Sequence, residues 1–273
     1  MAFVDWQKRK NEDFLRNLEH KVDPTWGFHV YGTYTRQEGQ DDANEDSEQG
    51  RVQKAKGEWF QSDPGERNKC WLLELVDDAH FQAILYKLHA HTADNLRYNY
   101  PVPYSHRFID TLRLKPAAYL PGASLEEVCT HFGQHYGQIT DPKKRFDPKY
   151  EASLDPDKRG PEYSWCLIID DECLQSLELS PEPIGPRPLA DVDFAALESN
   201  TDMFVKMLSR YYNTMEKPEI LAAQGRGGTG RRIEWNGWLK FSPVQMMHAF
   251  REANVSEVET WFSSEDEIVN FPS

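Results

Sequence analysis

The side chains with the most chemical potential stand together at one point of the chain. Asp170-Asp171-Glu172 follows Tyr163-Ser-Trp-Cys-Leu-Ile-Ile169, a run apolar at both parities over most of its length, which is the pattern of a central strand covered on both faces. Three acids in that place have two readings. At a helix start they satisfy free amides and complement the helix dipole. At the carboxyl end of a strand they line a ligand crevice. There Asp170 or Glu172 is a candidate general base, and with Asp171 they would hold a cation such as a guanidinium by paired contacts. Asp110 and Tyr31, both in segments of strand character, are further catalytic candidates.

Other constellations are weaker. Trp26, Tyr31, Trp165, Trp235 and Trp238 all fall on predicted strands, where an aromatic is either core or a platform for a ligand ring. Trp26, Trp165 and Trp238 are the substrate-binding candidates, with Lys240 in Trp238-Leu-Lys-Phe241 as either a strand-edge charge or a functional amine. Gly225-Arg-Gly-Gly-Thr-Gly230 matches G-x-G-x-x-G, but a strand follows it where a dinucleotide site needs a helix N-terminus. It reads instead as a mobile loop or as a phosphate contact through Arg226, Arg231 and Arg232. His131 and His135 sit one helical turn apart, and His89-x-His91 forms a second pair. The glutamate of H-E-x-x-H is replaced by Phe132, so packing is the expected role of these histidines, with no metal and no cofactor. No nucleophile motif surrounds Ser105-His106 or Ser176.

The elements that must position these groups follow from periodicity. Helices are expected over 2–20, 71–91, 124–136 (opened by the capping box Ser124-Leu-Glu-Glu127), 171–177, 201–215 and 243–254. Strands are expected over 26–34, 106–114, 163–170, 189–194 and 232–241. The connections are long and irregular, unlike those of a doubly wound fold. The expectation is a single α+β domain over 1–273: a mixed central sheet of about five strands, helices packed on it in two layers, and long irregular insertions.

The chain has 273 residues and a formal net charge of −14. The loop 36–50 and the stretch 250–273 contribute −5 each, and −4 is left for the remainder. The acidic loop and an acidic tail from about 255 to 273 are thus appendages to a near-balanced domain. The overall acidity argues against a DNA partner, while Lys143-Lys144-Arg145 and Arg226, Arg231 and Arg232 remain local basic patches able to meet RNA phosphates. Residues 1–10 lack a signal-peptide core, and no stretch is long and apolar enough for a membrane helix. The four cysteines form no C-x-x-C pair, so a cytoplasmic chain with reduced thiols is expected.

Four segments carry a resemblance: Trp26-Gly-Phe-His-Val-Tyr31, Pro121-Gly-Ala-Ser-Leu-Glu-Glu-Val128, Cys166-Leu-Ile-Ile-Asp-Asp-Glu-Cys-Leu-Gln-Ser-Leu177 and Trp238-Leu-Lys240. Over residues 24 to 250 the chain resembles a group of fungal cytosolic proteins with a W-G-F-x-[IV]-Y strand and a hydrophobic strand ending in D-[DE]-E-x-L-x-S. Within that resemblance it is similar to the fungal arginine-containing cyclodipeptide synthases of specialised metabolism. The resemblance implies a transferase with arginyl-tRNA and a second charged tRNA as partners, joining two aminoacyl groups into a diketopiperazine. On that reading the acids after strand 163–170 would hold the guanidinium and the basic patches would hold the tRNA. The alternative is a non-catalytic module binding a ligand or peptide on an aromatic sheet face.

Overall fold

A computed structural model describes residues 2–21, 24–35, 79–136, 161–188, 191–192, 202–210, 212, 237–253 and 268–269. In chain order the elements are α1 (Ala2–Glu19), β1 (His29–Gly32), α2 (Ala79–Asn99), α3 (Tyr104–Thr111), β2 (Lys115–Tyr119), α4 (Leu125–His135), β3 (Trp165–Ile169), α5 (Asp171–Leu179), β4 (Val205–Ser209), β5 (Trp238–Phe241), α6 (Met246–Ala253) and β6 (Ile268–Val269). The strands form one mixed sheet in the order β2-β1-β3-β4-β5-β6. β1, β2 and β3 run parallel, β4 is antiparallel to β3 and β5, and β6 is parallel to β5. This is the expected α+β class, and the described residues hold six strands where about five were expected.

Apolar residues alternate to the two faces along each strand. Phe28, Val30, Leu167, Ile169, Val205, Met207, Leu239 and Phe241 join the larger core with α1, α2, α3, α5 and α6. Tyr31, Cys166, Ile168 and Leu208 pack on the other face against Val128, Cys129 and Phe132 of α4. Helices therefore cover both faces, and the expected two-layer arrangement gives way to three layers. α4 begins at the predicted capping box, with Ser124 Oγ accepting from the Glu127 amide and the Glu127 carboxylate accepting from the Ser124 amide.

Two predicted elements change type. Residues 106–111 of the strand expected over 106–114 lie in α3, because Ser105, Phe108 and Ile109 fall on one helical face and Leu112 closes it. The second strand lies instead at 115–119, on the sheet edge, where Pro116 costs no central ladder bond. The helix expected over 201–215 contains strand β4, whose Val205 and Met207 point to one core and Leu208 to the other. A short apolar run has no period long enough to separate the two types. The tail is also less of an appendage than expected, since β6 pairs with Lys240 and Phe241. The loop 36–50, the patch 143–145, the glycine loop with Arg226, Arg231 and Arg232, Trp235 and most of 189–194 lie outside the described residues.

Three imidazoles are held away from water by this packing. Burial, reinforced by Lys115, lowers His29 to about 3. Its ring stacks on Tyr136 at 4.1 Å and its Nδ1 has no hydrogen-bond partner. Burial likewise lowers His91 and His248 to about 4. Below the ordinary value of 6.5 the unfolded chain takes up protons that the folded chain refuses, so stability present at neutral pH is lost as pH falls from 6.5 towards 4. In His29→Phe, which keeps the ring but removes the titration, the loss between pH 6.5 and 4 should be smaller by about 2 kcal/mol. Urea midpoints across that range measure it, and equal slopes for the two proteins would refute the assignment.

Candidate functional site

The order β2-β1-β3 places a switch point between β1 and β3: the chain leaves β1 for one neighbour and returns from β2 to the other. At such a point strand carboxyl ends diverge and leave room for ligands. Here those ends are Thr33–Thr35 and Asp170–Glu172. The Thr33 amide still donates to the Ile169 carbonyl at 2.9 Å, and the Thr35 amide then donates to Asp171 Oδ1 at 2.8 Å. Asp171 thus ties the segment after β1 to the start of α5.

Asp170 caps α5, accepting the Cys173 amide at 3.0 Å, and pairs with the Lys206 ammonium. Glu172 bridges two ammonium groups: Oε1 meets Lys240 Nζ at 2.5 Å and Oε2 meets Lys206 Nζ at 3.1 Å. Lys206 also lies 5.2 Å from the Trp238 ring centroid, and Lys240 4.7 Å from that of Phe204. Burial pushes the Asp170 carboxyl up, but the Lys206 ammonium and the Cys173 amide outweigh it and hold the group below its usual value. Burial likewise works against Glu172, and its two lysine partners hold it below its usual value. Lys206, penalised by burial, is held above its usual value chiefly by Asp170. Both carboxylates are ionised at neutral pH and stably paired, a poor state for a general base.

A cleft of about 380 Å³ adjoins this cluster. Glu172, Gln175, Ser176, Asp202, Met203 and Phe204 line it, with Leu179, Ser180 and Pro181 on the rim side of α5. Beyond α5, Asp94, buried in α2, accepts from the Ile184 amide at 2.6 Å and the Gly185 amide and pairs with Arg97 at 2.5 Å, which holds the segment after Pro181. Ser176 faces the cleft, yet its hydroxyl is engaged with the Cys173 and Phe204 carbonyls and accepts the Phe204 amide. It has the bonding of a structural serine. Ser105 is buried in α3.

The other candidates separate from this point. Trp26 and Trp165 lie at the amino ends of β1 and β3 and are buried in the larger core, Trp26 donating its indole N–H to the Phe108 carbonyl at 2.8 Å. Neither presents a ring to a ligand. Asp110 sits on α3, ahead of β2, at the amino edge and so across the sheet from Asp170. It leaves the site on that ground. Tyr31 is buried under α4, its hydroxyl 3.0 Å from His131 Nδ1, and burial holds its phenol far above the usual range. His131 in turn stacks on His135 at 4.2 Å. The Tyr31–His131 contact fastens α4 to the sheet, and among the described residues no group of three or more His, Cys, Asp or Glu gathers as a metal site.

The structure therefore brings Asp170, Asp171, Glu172, Trp238 and Lys240 together and adds Lys206 and Asp202, which the sequence reading passed over. A signal for Lys206 did exist. It is the single cation in Val-Lys-Met-Leu, as Lys240 is in Trp-Leu-Lys-Phe. Comparison with protein-family models, curated proteins and solved structures gives no match for this chain. Among the described residues no helix is long and apolar enough to cross a membrane.

Lys206 and Lys240 depend on Glu172 as a shared counter-ion. Glu172→Ala should lower the unfolding free energy by about 1–2 kcal/mol, the half-exposed carboxylate keeping the figure modest. Adding Lys240→Met should recover part of the loss in a double-mutant cycle. Strict additivity would show that the bridge contributes nothing.

Proposed function

We propose that the chain is an aminoacyl-tRNA-dependent cyclodipeptide synthase that takes an arginyl group at the carboxyl edge of its sheet. The observation that carries the reading is the cleft beside Glu172. Two carboxylates, Glu172 and Asp202, share it with the apolar side chains of Met203, Phe204 and Leu179. A guanidinium on an alkyl stem needs both surfaces, charge for its head and apolar contact for its methylenes. Asp170 and Asp171 keep their in-chain partners and position α5, and so the cleft wall. The reaction would form two amide bonds, each by attack of one α-amine on the other residue's ester carbonyl, and release two tRNA molecules through their terminal hydroxyls. It needs no oxidant and no further cofactor. Cys166–Leu177 and Trp26–Tyr31 resemble the wider fungal group with the W-G-F-x-[IV]-Y strand, and the narrower similarity to the arginine-containing synthases agrees with the same reading. The alternative of an aromatic binding face has no comparable support, because Trp26, Tyr31 and Trp165 are buried.

Purified protein mixed with arginyl-tRNA and a pool of other charged tRNAs should release an arginine-containing cyclic dipeptide, detected by mass spectrometry. Asp202→Asn should cut kcat/KM for arginyl-tRNA by about tenfold, the equivalent of about 1.4 kcal/mol. Absence of any diketopiperazine with every charged tRNA would refute the proposal.

A further inference from the structure

Lys206 and Lys240 are directly opposed across the β4–β5 ladder, and like charges in that relation repel. Their side chains are only 11% and 9% exposed, whereas that of Glu172 is 51% exposed. Two nearly buried ammonium groups therefore lie beneath one solvent-facing carboxylate, which gives one oxygen to each, and Lys206 is paired with Asp170 as well. They sit beside the amino end of α5, where free amides and the helix dipole also favour an anion. We propose that the Lys206–Lys240 pair is a phosphate-binding site and that Glu172 occupies it as an internal substitute for the ligand.

The two lysines set the chemistry. An anion placed between them must offer at least two acceptor oxygens, as the Glu172 carboxylate does. A free carboxylate would compete with a tethered one of the same charge and geometry and would lose to its effective concentration. Inorganic phosphate or a phosphate monoester offers at least three acceptor oxygens and a charge of up to about −2, which the tethered carboxylate cannot match, whereas a diester equals it only in charge and number of oxygens. Glu172 can yield its place because it already borders both solvent and the cleft. Asp170 cannot follow it, since the Cys173 amide fixes it as the α5 cap. The site thus favours a terminal phosphate over a backbone diester, and it stands whether or not the chain transfers aminoacyl groups.

The test is direct binding of small anions to the full chain by calorimetry at low ionic strength. The probes are inorganic phosphate, dimethyl phosphate and acetate. Glu172→Gln, which vacates the charge but keeps the shape, should bind inorganic phosphate at least tenfold more tightly than the wild type. Glu172→Gln combined with Lys240→Met should lose that gain. Should Glu172→Gln fold poorly, Glu172→Asp serves in its place, because the shorter side chain cannot reach both lysines and should also tighten phosphate binding. Dimethyl phosphate binding as well as inorganic phosphate would support a backbone diester as the natural ligand, and a preference for inorganic phosphate a terminal one. Equal phosphate affinity in the wild type and the vacated variants, retention of the gain without Lys240, or acetate binding as tightly as phosphate would overturn the proposal.

Discussion

Five consecutive residues, Trp165–Ile169, are buried on both faces of the sheet, and the rest of the molecule is arranged around that burial. A strand with no exposed face can carry no charge along its length, so its polar neighbours are forced out at its ends. At the amino end the Ser164 carbonyl accepts the Arg210 amide at 3.0 Å. At the carboxyl end the chain turns at once into α5, and Asp170, Asp171 and Glu172 meet the partners that neighbouring strands supply. The register of β3 fixes those partners: Ile168 faces Lys206, and Lys206 faces Lys240. A one-residue slip would send every side chain of β3 to the opposite core, so the position of the acids is as tightly specified as the core itself.

The same burial explains why two lysines are tolerated in central strands. Each has an aromatic ring beside its ammonium group and a carboxylate on it, so neither charge is left uncompensated in a region short of water. An apolar pair at these positions would pack as well with less desolvation cost. Retaining two opposed cations at the carboxyl edge, where ligands gather in sheets of this kind, is a cost that stability alone does not explain.

What was legible in the sequence divides by the kind of signal. The fully apolar run before Asp170, the capping box at Ser124 and the 3–4 spacing of the helix expected over 71–91 each belong to one type of element. All three appear, the last from Ala79 on to Asn99, with 71–78 outside the described residues. The segments 106–111 and 205–209 oppose their own propensities. Phe108, Ile109 and Thr111 favour strand but lie in a helix, and Lys206, Met207 and Leu208 favour helix but lie in a strand. Neither run is long enough for its period to decide. That conflict propagated to the site. With 205–209 taken as helix, Lys206 had no reason to face Lys240, and the acids had no cations to meet. Trp26 and Trp165 were legible as strand aromatics, but which edge of the sheet they occupy depends on strand direction, and direction is a property of the whole topology.

The pairing of the acids also changes what they can offer a ligand. A guanidinium entering the cleft would meet Glu172 already engaged, and taking it would leave Lys240 without its carboxylate and Lys206 with Asp170 alone. Both proposals become easier together than apart. A cation drawing Glu172 towards Asp202 uncovers the lysines, and an anion on the lysines releases Glu172 towards the cleft, so each ligand lowers the cost of the other. Total charge in the cluster is then preserved by exchange of partners. A molecule carrying a guanidinium and a phosphate a short distance apart would satisfy both exchanges at once. An arginyl group esterified to the end of a nucleic acid has that composition, and on the proposed function the lysine pair and the acid-lined cleft would form a single site.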